Sequence, residues 1–114
     1  MKIGITASAF DLLHAGHILM LKEAKSVCDY LIVALQVNPT LDRPEKNKPI
    51  QSFYERWTQL SSVKYVDEII PYETERELMT ILQNNNIDIR ILGDEYRNKV
   101  FTGCNLEMEY FFNK

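Results

Sequence analysis

Residues 29–37, DYLIVALQV, form an almost unbroken apolar run, and this run restricts the possible folds more than any other feature of the chain. A strand with one face in water alternates apolar and polar side chains, whereas a strand covered on both faces is apolar throughout. The run is also too short to cross a membrane, which takes about 20 apolar residues. It therefore predicts a strand inside a sheet that has helices packed on both faces.

Segments with strand and helix patterns alternate along the rest of the chain. Strands are predicted at residues 2–7, 29–37, 66–72, 87–93 and, as an edge strand, 106–112. Helices are predicted at residues 16–28, at 53–63 and from the capping-box pattern TERE at 74 to the asparagine stop at 84–86. This order predicts a single domain, residues 1–114, with an α/β fold: a mainly parallel five-stranded sheet, Rossmann-like and doubly wound, with helices on both faces.

Charge and composition exclude several classes of protein. Acidic side chains outnumber basic ones by 16 to 13, so we expect no nucleic acid and no membrane among the partners. The N-terminus has no signal-peptide core, and no apolar run reaches the length of a membrane span. Cys28 and Cys104 are isolated from each other, which favours buried or half-buried thiols over a disulfide framework or a zinc site. We therefore expect a cytoplasmic protein.

The chain has only two histidines, and both lie in HAGH, residues 14–17, shortly after the first predicted strand. Ligands collect at the carboxyl ends of parallel strands, where the amide groups that open a helix attract anions. Two imidazoles add N–H donors on the same side, and Gly16 allows close approach because it has no Cβ. The pattern favours a phosphate site suited to phosphoryl or nucleotidyl transfer. Two alternatives stay open: a metal pair, and two histidines without a shared function.

Residues 8–25, SAFDLLHAGHILMLKEAK, resemble the signature of the HxGH nucleotidyltransferase superfamily, in particular of the glycerol-3-phosphate cytidylyltransferases. The likeness continues through DYLIVALQ, KPIQSFYERW, KYVDEIIPY and IDIRILGDEY, so it covers almost the whole chain. It implies an enzyme that transfers CMP from CTP to a phosphorylated alcohol such as glycerol 3-phosphate and releases pyrophosphate. An adenylyltransferase that uses ATP and a nucleotide-binding module without turnover remain as alternatives.

The resemblance also implies roles for individual residues. His14 and His17 would contact the phosphates and stabilise the transition state, and Asp11 would help to place Mg²⁺ or the substrate. Lys46 and Lys48 would act as catalytic cations that reach the triphosphate or the acceptor. The positions that would bind nucleotide or substrate are Ala9, Phe10, Asp11, Gly16, Arg56, Gly93, Asp94 and Tyr96. Taken alone, the residue pattern also fits solvated lysines, an arginine paired within its helix and an aspartate that caps a turn.

The chain departs from the family pattern at three places. Ser8 and Ala9 replace Gly-Thr before the Phe-Asp pair, and Asn38 stands where many relatives have an aspartate. The sequence ends at FFNK, whereas the family continues with an arginine and a Ser/Thr-rich segment that caps the triphosphate. We expect the domain to lack this segment and therefore to bind nucleoside triphosphate less tightly. The resemblance also implies a homodimer, with FFNK or the helix around Trp57 as candidate contacts.

Overall fold

The computed structural model describes residues 1–41 and 43–112, in which five strands and three α-helices alternate. The elements are β1 (Ile3–Ser8), α1 (Ala15–Ser26), β2 (Tyr30–Gln36), α2 (Phe53–Ser61), β3 (Glu68–Tyr72), α3 (Glu75–Asn84), β4 (Ile89–Gly93) and β5 (Glu109–Phe112). The strands form one sheet in the order β3-β2-β1-β4-β5, and every neighbouring pair is parallel. The predicted α/β class is therefore confirmed, and the described strands are all parallel.

The central strand β2 has the two-sided burial that its sequence predicts. Its side chains alternate between two cores, as the pleat of a strand requires. Leu31, Val33 and Leu35 pack on one face with buried residues of α1 and α2. Ile32 and Ala34 pack on the opposite face with buried residues of α3. The helices therefore cover both faces of the sheet, as predicted.

The boundaries of α1 and β5 differ from prediction for identifiable reasons, and the other strands and helices begin and end within two residues of their predicted bounds. The helix α1 begins one residue earlier than predicted because His14 serves as its N-cap, and it ends at Ser26 rather than at residue 28. The strand β5 is shorter than the predicted 106–112 because a 3-10 turn precedes it, and because Glu107 has a φ of 52°, in the left-handed region. A strand cannot run through such a residue, so β5 begins only at Glu109.

The order of the strands creates a crevice at the carboxyl edge of the sheet. β1, β2 and β3 follow one another toward one edge, and β4 then lies on the other side of β1. The chain leaves the carboxyl ends of β1 and β4 in opposite directions, which leaves space for a ligand between them. β5 lies beyond β4 and forms the edge that its sequence predicts.

Other predictions concern the cysteines, the membrane and the dimer contacts. Cys28 and Cys104 are half-buried free thiols, as predicted. Within residues 1–41 and 43–112, each helix is too short or too polar to span a membrane. Trp57 is partly buried against the core on the α1 and α2 side of the sheet. The last two residues of FFNK lie outside the described residues, so the predicted contact there stays a prediction.

Candidate active site

The loop between β1 and α1 brings the two histidine rings together. The Nδ1 of His14 accepts a hydrogen bond from the backbone N–H of Gly16 at 3.0 Å. The Nδ1 of His17 accepts one from the backbone N–H of His14 at 3.1 Å, and the two ring centroids are 4.1 Å apart. HAGH therefore folds as a capping box in which imidazoles replace the usual hydroxyl and carboxylate. We call residues 10–17 the histidine cradle.

These hydrogen bonds determine where each imidazole carries its proton. Because Nδ1 is the acceptor in both rings, the neutral form of each ring carries its proton on Nε2. Burial, and then the charge of the neighbouring His14, lower the pKa of His17 below its ordinary value of 6.5. His17 is therefore neutral at pH 7 and offers an Nε2–H donor rather than a positive charge.

Gly16 and Phe10 shape the cradle around these rings. A Cβ on Gly16 would lie 2.7 Å from Cε1 of His14, so a larger residue would displace the ring. Phe10 is buried, and its ring centroid lies 5.7 Å from that of His17. Its φ of 48° is unusual for a large side chain, which indicates that the surrounding structure imposes this conformation. Both residues thus hold the imidazoles in place.

Arg56 connects the cradle to the neighbouring strand. Only 2% of this residue is exposed, and its guanidinium donates to four backbone carbonyls, those of Ala9, Gln36, Val37 and Gln51. Burial lowers the pKa of Arg56 below its usual value, yet an arginine remains charged at neutral pH. Arg56 is thus a positioning residue that fixes the segment after β1 against the end of β2.

Asp11 fastens the cradle to the residues that precede α2. Its two carboxylate oxygens accept hydrogen bonds from the backbone N–H groups of Ile50 at 2.8 Å and Gln51 at 2.9 Å. These two bonds hold the pKa of Asp11 below its usual value of 3.8. Among the residues described, no three histidine, cysteine or acidic side chains meet as metal ligands. Mg²⁺ bound here would therefore take most of its ligands from phosphate and water.

A cavity of about 770 Å³ lies at the carboxyl edge of the sheet, within the size range of small-molecule sites. The predicted site residues that line it are Ala9, Phe10, His14, Gly16, His17, Lys46, Gly93 and Tyr96. The predicted site residues outside this lining are Asp11, Lys48, Arg56 and Asp94. Lys48 is exposed, and the carboxylate of Asp94 forms an ion pair with Arg97 at 2.7 Å. The structure thus gathers most of the predicted residues around one cavity.

The same cavity has a second polar part, which we did not predict from the sequence. It lies on the face of the sheet that α3 covers, and we call it the arginine lobe. It is lined by Gln36, Tyr72, Glu75, Arg90 and Thr102. Burial raises the pKa of the Tyr72 phenol well above its usual value, so this hydroxyl keeps its proton at neutral pH. The lobe therefore combines uncharged hydrogen-bonding groups with one buried cation, Arg90, and one carboxylate, Glu75.

Arg90 is the cation of the arginine lobe. It lies on β4, beside Ile91, which faces the opposite core, and only 6% of the arginine is exposed. Its Nη1 donates to the carbonyl of Thr102, and its guanidinium carbon lies 5.4 Å from the ring centroid of Phe101. Burial lowers the pKa of Arg90 below its usual value. A charge within the apolar run IDIRIL is the sequence signal that could have revealed this residue.

Comparison with known proteins identifies the family. The model of the cytidylyltransferase-like family matches residues 5–113. The chain is 36% identical over 99 residues to the glycerol-3-phosphate cytidylyltransferase of Bacillus subtilis strain 168, covering 87% of this chain and 76% of that protein. It is 37% identical over 91 residues to the FAD synthase of Thermococcus sibiricus, covering 80% of this chain and 62% of that protein.

A solved structure agrees with these matches. The lipopolysaccharide core biosynthesis protein from Thermoplasma volcanium GSS1 has a TM-score of 0.77 and 29% identity, covering 99% of this chain and 95% of that one. The similarity therefore extends over the sheet, the helices and the loops that form the cavity. On the family match over residues 5–113 and these identities, the chain belongs to the cytidylyltransferase-like family and is an enzyme of the nucleotidyltransferase class.

Proposed function

We propose that this protein transfers CMP from CTP to a phosphorylated alcohol of the glycerol 3-phosphate type. A phosphate oxygen of the acceptor attacks the α-phosphorus of CTP and forms a new bond to it. The bond between that phosphorus and the oxygen shared with the β-phosphate breaks. The products are a CDP-alcohol and pyrophosphate, and the reaction needs no covalent intermediate on the protein.

The histidine cradle is the observation that supports this proposal most strongly. Negative charge shifts among the phosphate oxygens during the transfer, and donors that are already fixed in place stabilise it. The Nε2–H groups of His14 and His17 are such donors, because their Nδ1 atoms are held by backbone amides. The N-terminus of α1 adds the positive end of its helix dipole.

Cations would assist the cradle. Lys46 is exposed at the cavity and is the better placed of the two predicted lysines, since Lys48 lies outside the lining. Mg²⁺ carried by the triphosphate would neutralise further phosphate charge. We propose that the partners are a nucleoside triphosphate and a small phosphorylated alcohol rather than nucleic acid or a membrane, which agrees with the net charge of −3. We also propose that the protein acts as a homodimer in the cytoplasm.

The choice of nucleotide has two candidates. The similarity to a glycerol-3-phosphate cytidylyltransferase at 36% identity favours CTP. The similarity to an FAD synthase at 37% identity favours ATP as the second candidate, because the product FAD contains an adenine nucleotide. The cradle binds phosphates, which both nucleotides share, so it supports the transfer chemistry and not the choice of base.

Pyrophosphate release tests the proposal. The protein is mixed with Mg²⁺, glycerol 3-phosphate and either CTP or ATP. We expect pyrophosphate and CDP-glycerol in the mixture that contains CTP, and no product in the mixture that contains ATP. A thermal shift with each nucleotide gives a readout that needs no acceptor, since a ligand at 100 times its Kd stabilises the fold by about 2.7 kcal/mol. Stabilisation by ATP alone would favour the adenylyltransferase. Stabilisation by CTP without pyrophosphate across a panel of phosphorylated alcohols would favour a binding module.

A further inference from the structure

Arg90 is a buried cation with few partners in residues 1–41 and 43–112. Of its three guanidinium nitrogens, only Nη1 makes a hydrogen bond there, to the Thr102 carbonyl, and the buried Nε has no partner. The ion pairs of this part of the chain do not include Arg90. A buried charge without a partner is costly, so an arginine kept in the wall of a cavity indicates an anionic ligand.

The charged and titratable groups around Arg90 leave it without a direct counterion. Tyr72 from β3, Glu75 from α3, Tyr96 from the loop after β4, and Glu109 from β5 influence it through longer-range electrostatics. The Tyr72 phenol keeps its proton at neutral pH because burial raises its pKa. Glu75 forms an ion pair with Arg43, at 3.7 Å. A ligand with oxyanion oxygens would therefore supply the direct partner that these side chains do not.

We infer that Arg90 binds the phosphate group of the acceptor alcohol, which makes the arginine lobe the acceptor site and the histidine cradle the triphosphate site. The identity of the acceptor rests on the proposed function. Nε is fully buried and Nη1 donates to the Thr102 carbonyl, so Nη2 is the guanidinium nitrogen that would donate to a phosphate oxygen of the acceptor. Another phosphate oxygen remains for the attack, and Gln36 and Tyr72 can hydrogen-bond the hydroxyls of the alcohol.

Ligand binding to three variants of the full chain tests the inference. Arg90→Met removes the charge and keeps an apolar stem, whereas Arg90→Lys keeps the charge and loses the planar guanidinium. The control, Arg76→Met, removes an exposed arginine of α3 outside the cavity lining. The probes are glycerol 3-phosphate, uncharged glycerol, and CTP with Mg²⁺. Thermal shift and calorimetry measure the binding of each probe. Glycerol 3-phosphate should bind the wild type and Arg76→Met with equal affinity. Glycerol, which has no phosphate, should bind neither protein.

The two arginine variants should weaken glycerol 3-phosphate binding to different degrees. In Arg90→Met we expect a Kd about 10- to 100-fold weaker, the range for losing a charged hydrogen bond, and in Arg90→Lys a smaller loss. The Kd of CTP should stay within about twofold in both. If Arg90→Met shows no cooperative unfolding, this variant is not folded. The acceptor KM of Arg90→Lys, which we expect to rise, then tests the inference.

Kinetics distinguish the acceptor from the nucleotide as the source of the bound phosphate. A rise in the KM of glycerol 3-phosphate alone supports the inference, and a rise in the KM of CTP alone overturns it. Equal acceptor binding by wild type and Arg90→Met, or no binding by the wild type, also overturns it. If glycerol 3-phosphate binding depends on Arg90 but no pyrophosphate is released, the inference about Arg90 is supported and the proposed function is wrong. If pyrophosphate is released and the acceptor KM is unchanged in Arg90→Met, the proposed function is supported and the inference about Arg90 is wrong.

Discussion

The histidine cradle and the arginine lobe share one cavity, yet they are built in different ways. The cradle is one short segment, residues 10–17, and the hydrogen bonds that orient its rings run within that segment. The lobe gathers side chains from β2, β3, α3, β4 and the loop after β4. A local motif specifies its own geometry, whereas the lobe depends on how the whole sheet is assembled. We therefore expect changes in the cradle to alter the transfer step and changes in the lobe to alter acceptor binding.

The largest effect should follow removal of the donors of the cradle. His14→Ala and His17→Ala should each lower kcat by about 10²- to 10³-fold, the loss typical of one fixed donor to a developing oxyanion. Steady-state pyrophosphate release measures this effect, and circular dichroism checks the fold. Near-normal turnover in both variants would remove the catalytic role of the cradle and with it the contrast between the two regions.

His14→Asn separates the two roles of His14. Alanine at the N-cap should also destabilise α1 by about 1 kcal/mol, because the Gly16 N–H loses its acceptor. Asparagine is a good N-cap and can accept that bond, but its shorter side chain does not replace the Nε2–H donor. We expect His14→Asn to recover the stability and not the kcat. Recovery of both would show that His14 only caps the helix.

What the sequence could predict follows the same division between local and distributed structure. The run in β2 predicted a doubly covered strand because burial on both faces leaves a contiguous pattern, and HAGH predicted the cradle because its geometry is local. Tyr72 escaped prediction because its position in the lobe depends on elements distant in sequence. Asp11 and Arg56 were named as site residues, but their roles depend on which backbone groups they meet, and this appears only in the folded chain.

An intermediate effect should follow the loss of Arg56, which links the two regions. Its guanidinium bonds Ala9 beside the cradle and Gln36, which lines the lobe. Arg56→Met should lower the free energy of unfolding by about 3 kcal/mol, because several carbonyls lose their donor at once. Urea denaturation measures this change, with Arg76→Met as a surface control expected within about 0.5 kcal/mol. Wild-type stability in Arg56→Met would show that the two regions are held independently.

The smallest effect concerns pH, to which the two regions should respond differently. Arg90 remains charged near neutral pH although burial lowers its pKa, whereas the pKa of His17 lies below 6.5. Protonation at Nδ1 of His17 removes the acceptor of the His14 N–H. Because the pKa of His17 is lower in the folded chain, the unfolded chain binds the proton more readily. The stability that His17 contributes is therefore complete above pH 6.5 and is lost as the pH falls through the folded pKa.

His17→Gln isolates this contribution, because glutamine suits the same capping-box position and does not titrate. We expect the Tm of the ligand-free wild type to decline more on acidification from pH 7.5 to 5.5 than the Tm of His17→Gln, a range that brackets the ordinary value of 6.5. Arg90→Met should keep the wild-type decline, because this change leaves the His17 ring and its hydrogen bond to the His14 N–H in place. An equal decline in wild type and His17→Gln would assign the acid sensitivity to carboxylates elsewhere in the chain and would leave cradle and lobe alike in their response to pH.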